Sequence, residues 1–400
     1  MPVLSTLAHQ QDAFTNLLSD ICDVLEFEEH DLDDSENAEN EHEPSPRKPL
    51  DLSSLDTDEW LILFRFGFYL RQKLLSDNIP TRVLCDNGVS EPAKIALLML
   101  LRRLSYPARY IDLFYMFGWE KSRFSRVTRT LAAYLYRRWA HILYFDPHRL
   151  NRYKLADYAA AVHARGAALK NVWGFVDGTL RRTTRPVRNQ RIIYNGWKRI
   201  HALKFHSICT PDGIHSHLFG PIEGRRHDAT VYEQSNLERI LELYSYAPDN
   251  SPLVVYGDPA YGLSSHLISP FKGSNLSADE LRFNLSMSKV REAVEWSFGE
   301  VIRQFAFLDF YKNQKVLLQP VGIFYAVGIL LTNAHVILHG SQVSKFFDCP
   351  PPLLEEYFHG TAADAKEAQE RGYTVEFTDV IPGVLVTEDD LGDGEQPEAV

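Results

Sequence analysis

The spacing of apolar residues changes period midway along the chain. From Asp58, the residues Trp60, Leu61, Leu63, Phe64, Phe66, Phe68, Tyr69, Leu70 and Leu74 crowd too densely for a solvated helix. They predict one that is packed on several sides. Helical patterns continue from about Glu91 to Leu143. Ala93, Ile95, Ala96, Leu97 and Leu100 mark a helix that stops near Ser105-Tyr106-Pro107. A second runs from about Ala108 to Phe117 and closes at Gly118, and a third runs from Arg123 past Trp139. The third carries Arg123, Arg126, Arg129, Arg137 and Arg138. A short helix, a glycine turn and a longer basic helix are the parts of a helix-turn-helix. A solvated arginine face explains the same residues.

From Val172 the period becomes that of strands. Val172-Trp173-Gly174-Phe175-Val176 is a short apolar run that predicts a buried strand ending at Asp177. His201 to Thr210 and Ile214 to Phe219 read as two strands joined by Pro211-Asp212-Gly213, where Pro fixes φ and Gly supplies a positive one. A helix is expected from about Ala229 to Tyr244, then a strand at Leu253-Val254-Val255-Tyr256 ending at Gly257-Asp258. Ser288 to Phe305 reads as a long helix with Val290, Val294, Phe298, Val301 and Phe305 on its apolar face. This order of elements is that of a mixed α/β domain. Val321 to Leu331 is the most apolar stretch, about half of the ~20 residues a membrane span needs, and reads as a buried helix.

Charge refines this map. The 400 residues carry a formal net charge of −11, which by itself argues against nucleic acid as a partner. Its distribution argues the other way. Residues 1–60 hold 17 acids and two bases, a local −15, and residues 361–400 hold 11 acids and two bases, a local −9. The body between them is therefore +13. The segment 26–49 is acidic and poor in large apolar residues, so it is expected to be disordered, with a short amphipathic helix around Asp12–Phe27 before it. The acidic ends are candidates for flexible tails that compete with DNA for the basic body or recruit a basic partner. Cys22, Cys85, Cys209 and Cys349 are far apart, which excludes a disulfide scaffold and a cysteine-rich zinc module. No basic region followed by an apolar run and a cleavage site opens the chain, so no secretory signal is expected.

Three acids stand out by position: Asp177 and Asp258, each after an apolar strand, and Glu295 on the long helix. Carboxylates at the edge of a rigid sheet suit Mg²⁺, which takes oxygen ligands and keeps positions for water and phosphate. Polar turns also end ordinary strands, so each acid alone carries little. Asp228, just before the helix expected at Ala229, is a competing acid whose plainer reading is an N-cap. Glu292 could share the helix face of Glu295. Arg291, one turn before Glu295, either orients that carboxylate, touches a DNA phosphate or forms an ordinary i,i+4 pair. His201, His206, His215 and His217 invite a zinc reading, but two histidines at alternate positions of a strand more often decorate a hairpin face.

The acids sit inside a series of motifs. These are Val176-Asp177-Gly178-Thr179, Tyr194-Asn195-Gly196-Trp197-Lys198-Arg199, and Gly220-Pro221 through Gly224-Arg225-Arg226-His227-Asp228. Gly257-Asp258-Pro259-Ala260-Tyr261-Gly262, Phe283-Asn284 and Arg291 through Gly299 follow. In that order, over roughly 120 residues, the series resembles the Harbinger-type DDE transposases. Leu180 stands where the family often has His, and Trp296 where Arg is common; neither change removes an acid. The resemblance implies a ribonuclease-H-like mixed-sheet core with Asp177, Asp258 and Glu295 as catalytic, metal-binding triad and Asp228 as a lower-ranked alternative ligand. It implies a divalent metal, Mg²⁺ with Mn²⁺ as a substitute, and the family's reaction: hydrolysis at transposon ends, then attack of the freed 3′-hydroxyl on target DNA.

The expected layout has an acidic segment 1–57 and an all-α region 58–170 holding the helix-turn-helix at about 91–143. A DDE endonuclease domain at 171–338 and a C-terminal segment 339–400 with an acidic tail follow. Arg123, Arg126, Lys198, Arg199, Arg225, Arg226 and Arg291 are the expected DNA contacts, since phosphate charge supplies most non-specific affinity. Nuclear localisation, a Myb-like accessory partner and a homo-oligomer accompany the resemblance, and no membrane association is expected. A domesticated, catalytically silent DNA-binding protein on the same fold is the alternative, and an unrelated metal-dependent phosphoesterase is a third.

Overall fold

A computed structural model of the chain describes residues 51, 54–66 and 81–371. The expected helix near 12–27, the acidic segment 26–49 and the acidic end beyond 371 lie outside these residues.

Asp56 and Glu59 form a capping box that starts α1 (Thr57–Phe64), and Trp60 and Phe64 are buried as the dense apolar pattern predicts. The region that follows is not all helical. A small antiparallel hairpin, β1 (Arg82–Leu84) and β2 (Ser90–Pro92), precedes α2 (Ala93–Ser105). Its strands are too short to show an alternating pattern in the sequence. Next come α3 (Tyr110–Phe117), closed by Gly118 at φ 73, and the 24-residue α4 (Lys121–Tyr144). The helices and the turn between them fall where the apolar spacing places them. Arg103 on α2 is buried, its guanidinium 4.5 Å from the Tyr110 ring centre and 4.2 Å from that of Phe307, so this region packs onto the rest of the chain.

After α5 (Arg152–Ala164) comes the sheet. β3 (Val172–Arg182) pairs antiparallel with β5 (Ile200–Cys209), which pairs antiparallel with β6 (His215–Glu223). On its other side β3 pairs parallel with β7 (Val254–Tyr256), which pairs parallel with β8 (Leu267–Ile268). A four-residue helix α6 (Gln190–Ile193) leads into β4 (Tyr194–Asn195), which pairs with the start of β5. This mixed sheet, with helices around it, fits a ribonuclease-H-like nuclease core.

Helices α7 (Asp228–Gln234) and α8 (Leu237–Tyr244) divide what the pattern predicts as one helix, because Asn236 adopts a left-handed φ of 53 between them. The long helix α9 (Ala278–Gln304) begins ten residues before the expected start, at a capping box of Ser277 and Glu280. In its first turns Leu281, Phe283, Leu285 and Met287 alternate at every second position, so helical periodicity misses them, although the cap itself is legible. α10 (Val321–His339) is, among the described residues, the one helix long and apolar enough to cross a membrane by length and composition. Every residue from Val321 to Ala334 is nonetheless buried within the protein. It is a core helix. Short helices α11 (Gln342–Phe347), α12 (Leu354–Tyr357) and α13 (Ala362–Glu370) follow.

The apolar side chains of the sheet divide between two cores. Leu203 and Phe205 of β5 and Leu218 of β6 join α2, α4 and α10 in one. Ile208 of β5, Phe219 and Ile222 of β6 and the apolar run of β3 join α5, α8 and α9 in the other. The β5–β6 turn is held from below by a buried polar cluster. Asp212, fully buried, receives Arg149 Nη1 at 3.4 Å and the Tyr158 hydroxyl, while Arg149 also donates to Tyr158 at 3.1 Å and to Ser216. Removing the arginine would strand a carboxylate in the interior. Arg149→Ala is therefore expected to cost about 3–5 kcal/mol in urea unfolding. Arg109→Ala, which breaks a solvated pair with Asp112, should leave the midpoint where it is.

Candidate active site

Asp177 is not at the end of its strand as the apolar run suggests. β3 continues to Arg182 because Thr179 to Arg182 pair with Ala202 to Phe205 of β5. The acid thus projects from the middle of the sheet. Phe175 pairs with Tyr256 across the parallel β3–β7 ladder, so Asp177 and Asp258 lie two residues beyond a matched pair on adjacent strands. Neighbouring strands are about 4.8 Å apart. The register alone thus brings the two carboxylates together. Asp258 is anchored in the turn after β7, where its Oδ1 accepts from Ala260 N at 2.9 Å.

A third acid lies beside Gly178 without converging on the pair. His227, not Asp228, is the N-cap residue of α7, and Asp228 is the first helical residue. The expected capping role gives way to another: the Asp228 carboxylate lies 3.1 Å from Lys204 Nζ and directly against Gly178. A Cβ at Gly178 would sit 2.3 Å from Asp228 Oδ1 and 3.4 Å from the Tyr261 hydroxyl. Tyr261 is 5% exposed, and its hydroxyl has no hydrogen-bond partner among the described residues. Burial, then Asp228, Asp177 and Asp258, hold this phenol well above its usual range. Tyr261 and Lys204 carry no expected role from the sequence, although Tyr261 lies inside the Gly257–Gly262 motif.

Glu295 stands apart from this group. Arg291, on the same helix α9, places Nη1 3.2 Å from Asp177 and Nη2 3.3 Å from Glu295. It is both the i,i+4 partner of Glu295 and the bridge to the sheet. The Glu295 side chain is 61% exposed against 18% for Asp177, so the helix acid reaches the site through the guanidinium. Burial pushes the Asp177 carboxyl up to about 6; Arg291 and the Gly178 amide pull it down, while Asp258 and Asp228 push it further up.

These donors are all hard oxygens, which suits Mg²⁺ or Mn²⁺ in kind. Asp177 and Asp258 meet the one-or-two-carboxylate requirement of such an ion. Among the described residues no group of three His, Cys, Asp or Glu side chains converges to hold a metal. The expected triad is thus a close pair, Asp177 and Asp258, with Glu295 linked through Arg291. The histidines do not form a ligand set. His206 and His217 face each other with Nε2 atoms 3.0 Å apart, His215 meets Ser207 at 2.9 Å, and burial lowers all three below the usual imidazole range.

The expected DNA contacts divide by surroundings. Lys198 and Arg199 are exposed on the β4–β5 turn, and Arg225 is exposed on the loop before α7. Arg226 pairs with Glu223 at 3.2 Å. Arg123 is drawn inward, bonded to buried Glu91 at 2.8 Å and stacked 3.9 Å from the Trp119 ring centre. Arg126 lies on the same helix α4, part-buried.

Two outcomes follow from this geometry. An Asp whose folded pKa is raised favours folding fully only below its unfolded value and loses that contribution as pH rises through about 6. Asp177→Asn should therefore be more stable than the wild type at pH 7, by about 1–3 kcal/mol. The difference should close below pH 4 in urea titrations at the two values. Gly178→Ala should fold, because the obstructing atom is the end of a side chain. It should displace the Asp228 carboxylate, seen as a changed Asp228 resonance in carboxylate NMR.

Residues 176–333 match the family model described as DDE superfamily endonuclease. No curated protein and no solved structure matches the chain. The matched segment contains Asp177, Asp228, Asp258, Arg291 and Glu295 and runs from the middle of β3 into α10. This part of the chain is similar to DDE superfamily endonucleases, and the match supports a DDE transposase-type family with a nuclease function.

Proposed function

We propose that this protein is a divalent-metal-dependent DNA endonuclease and strand transferase of the Harbinger type, working on transposon ends in the nucleus. The observation that carries the reading is the placing of Asp177 on β3 and Asp258 just past β7, each two residues beyond the matched pair Phe175–Tyr256 of these parallel strands, within the matched segment. Asp177 and Asp258 would hold the cation, with Glu295 as the third acid and Asp228 as the lower-ranked alternative. When bound, the cation lowers the pKa of a water or 3′-hydroxyl and offsets charge on the phosphodiester.

The chain's own residues have separate tasks. Arg291 sits between Asp177 and Glu295, where it can meet a phosphate brought to those acids. Transfer of its guanidinium to a phosphate oxygen would free both carboxylates at once. Lys204 neutralises Asp228, so that three carboxylates around one buried phenol do not all repel an approaching anion. Lys198, Arg199, Arg225 and Arg226 would track the DNA backbone beside the sheet, and Arg123 and Arg126 would serve the helical region in the same way. A Myb-like partner and self-association belong to the same proposal.

The test incubates the full chain with end-labelled DNA bearing terminal inverted repeats, with Mg²⁺ or Mn²⁺. Cleavage is expected, and Asp258→Asn should reduce it by more than about a hundredfold, beyond what loss of an outer-shell partner costs. Asp279→Asn, at a solvated position of α9, is expected to cut as the wild type does. Equal cutting by Asp258→Asn and wild type would remove the catalytic assignment.

A further inference from the structure

Trp197 is the most exposed large apolar side chain of the described residues, at 89%. It does not sit on a loose loop. Tyr194 pairs with His201 and Asn195 with Ile200, so Gly196-Trp197-Lys198-Arg199 is the closed turn of a hairpin. Asn195 fixes that turn from inside: its Oδ1 accepts from Lys198 N at 2.7 Å, and its Nδ2 donates to Gly224 O. Arg199 takes a left-handed φ of 56 to complete the reversal. At the base, the Tyr194 ring lies 5.2 Å from that of His201. The fold thus holds an indole out into solvent on a braced turn, beside the exposed cations Lys198 and Arg199.

The same hairpin is tied to the acids. Gly224 lies so close to it that a Cβ would meet Ala202 O at 2.4 Å and Ile193 O at 3.1 Å. From Gly224 the chain runs through Arg225 and Arg226 to Asp228, and Lys204 of β5 binds both Arg226 O, at 2.7 Å, and Asp228. Gly178, beside Asp177, pairs with His206 on β5. Six residues of extended strand separate His206 from Ile200, about 20 Å at 3.4 Å per residue.

We propose that Trp197 is a nucleobase-stacking residue, taking an unpaired base of the DNA strand whose backbone Lys198 and Arg199 hold, at a distance along that strand from the phosphate at the acids. The proposal rests on the DNA-processing function above. Aromatic faces stack on any base, and flanking cations neutralise the phosphates on either side, which together make a site for single-stranded or locally opened DNA. A hydrophobic protein partner would not call for two cations beside the ring.

Binding is measured with the full chain and two fluorescent probes of one sequence, a single strand and its fully paired duplex. Trp197→Ala should weaken single-strand binding by about tenfold and leave duplex binding unchanged. Trp197→Phe should keep most of the single-strand affinity, and 2-aminopurine in that strand should be quenched by the wild type but not by Trp197→Ala. Lys198→Ala with Arg199→Ala should weaken both probes and flatten the salt dependence. Because the indole is exposed, each Trp197 variant should melt with the wild type. Unchanged single-strand binding by Trp197→Ala, or equal loss on both probes, would overturn the stacking role and leave the nuclease reading standing. A wild type that binds neither probe would overturn both.

Discussion

Two carboxylates fixed side by side in a part-buried sheet repel each other, and the structure around them is arranged to relieve that repulsion. The β3–β7 register sets Asp177 beside Asp258, and α7 adds Asp228. Burial, and to a lesser degree the neighbouring carboxylates, drive the Asp177 carboxyl up to about 6. Arg291 and Lys204 supply the opposing charge, one from a helix and one from a neighbouring strand. A site built this way has charge to spare for a cation or a phosphate, and only a rigid scaffold keeps it from relaxing apart.

The scaffold is rigid because its strands are covered. β3 lies between an antiparallel and a parallel neighbour, and its apolar run is buried beneath helices. β5 connects the parts that matter: its middle pairs with the Asp177 segment, Lys204 reaches Asp228, its start carries the Trp197 hairpin, and its end turns at the buried Asp212. A shift in this strand would therefore be felt at the acids, at the basic turn and in the polar cluster together. The helical region adds its weight through α2 and α4, which share a core with α10 and with the β5 and β6 side chains.

Much of this was legible in the chain. The apolar runs placed β3, β7 and α10, and Pro211-Asp212-Gly213 placed the hairpin turn, where Gly213 has φ +84. Gly118 closed α3 as expected. Less visible were boundaries set by partners and not by periodicity. β3 runs on past Asp177 because β5 is there to pair with, and the helix expected over 229–244 breaks at Asn236 where the chain must redirect into α8.

The sequence by itself determined which acids are candidates for the chemistry, because acids after apolar runs or on a long helix, a turn and a buried helix each leave a local pattern. Only the tertiary structure decided how they combine. Asp258 meets Asp177 through a parallel register that no local spacing encodes, and Asp228 abandons its expected cap to lie against Gly178. Arg123, one more basic residue in the sequence, is turned to a buried glutamate, while Arg291 bridges sheet and helix. The reason is physical: periodicity records which face of an element is apolar, whereas an ion pair depends on which other element that face is packed against.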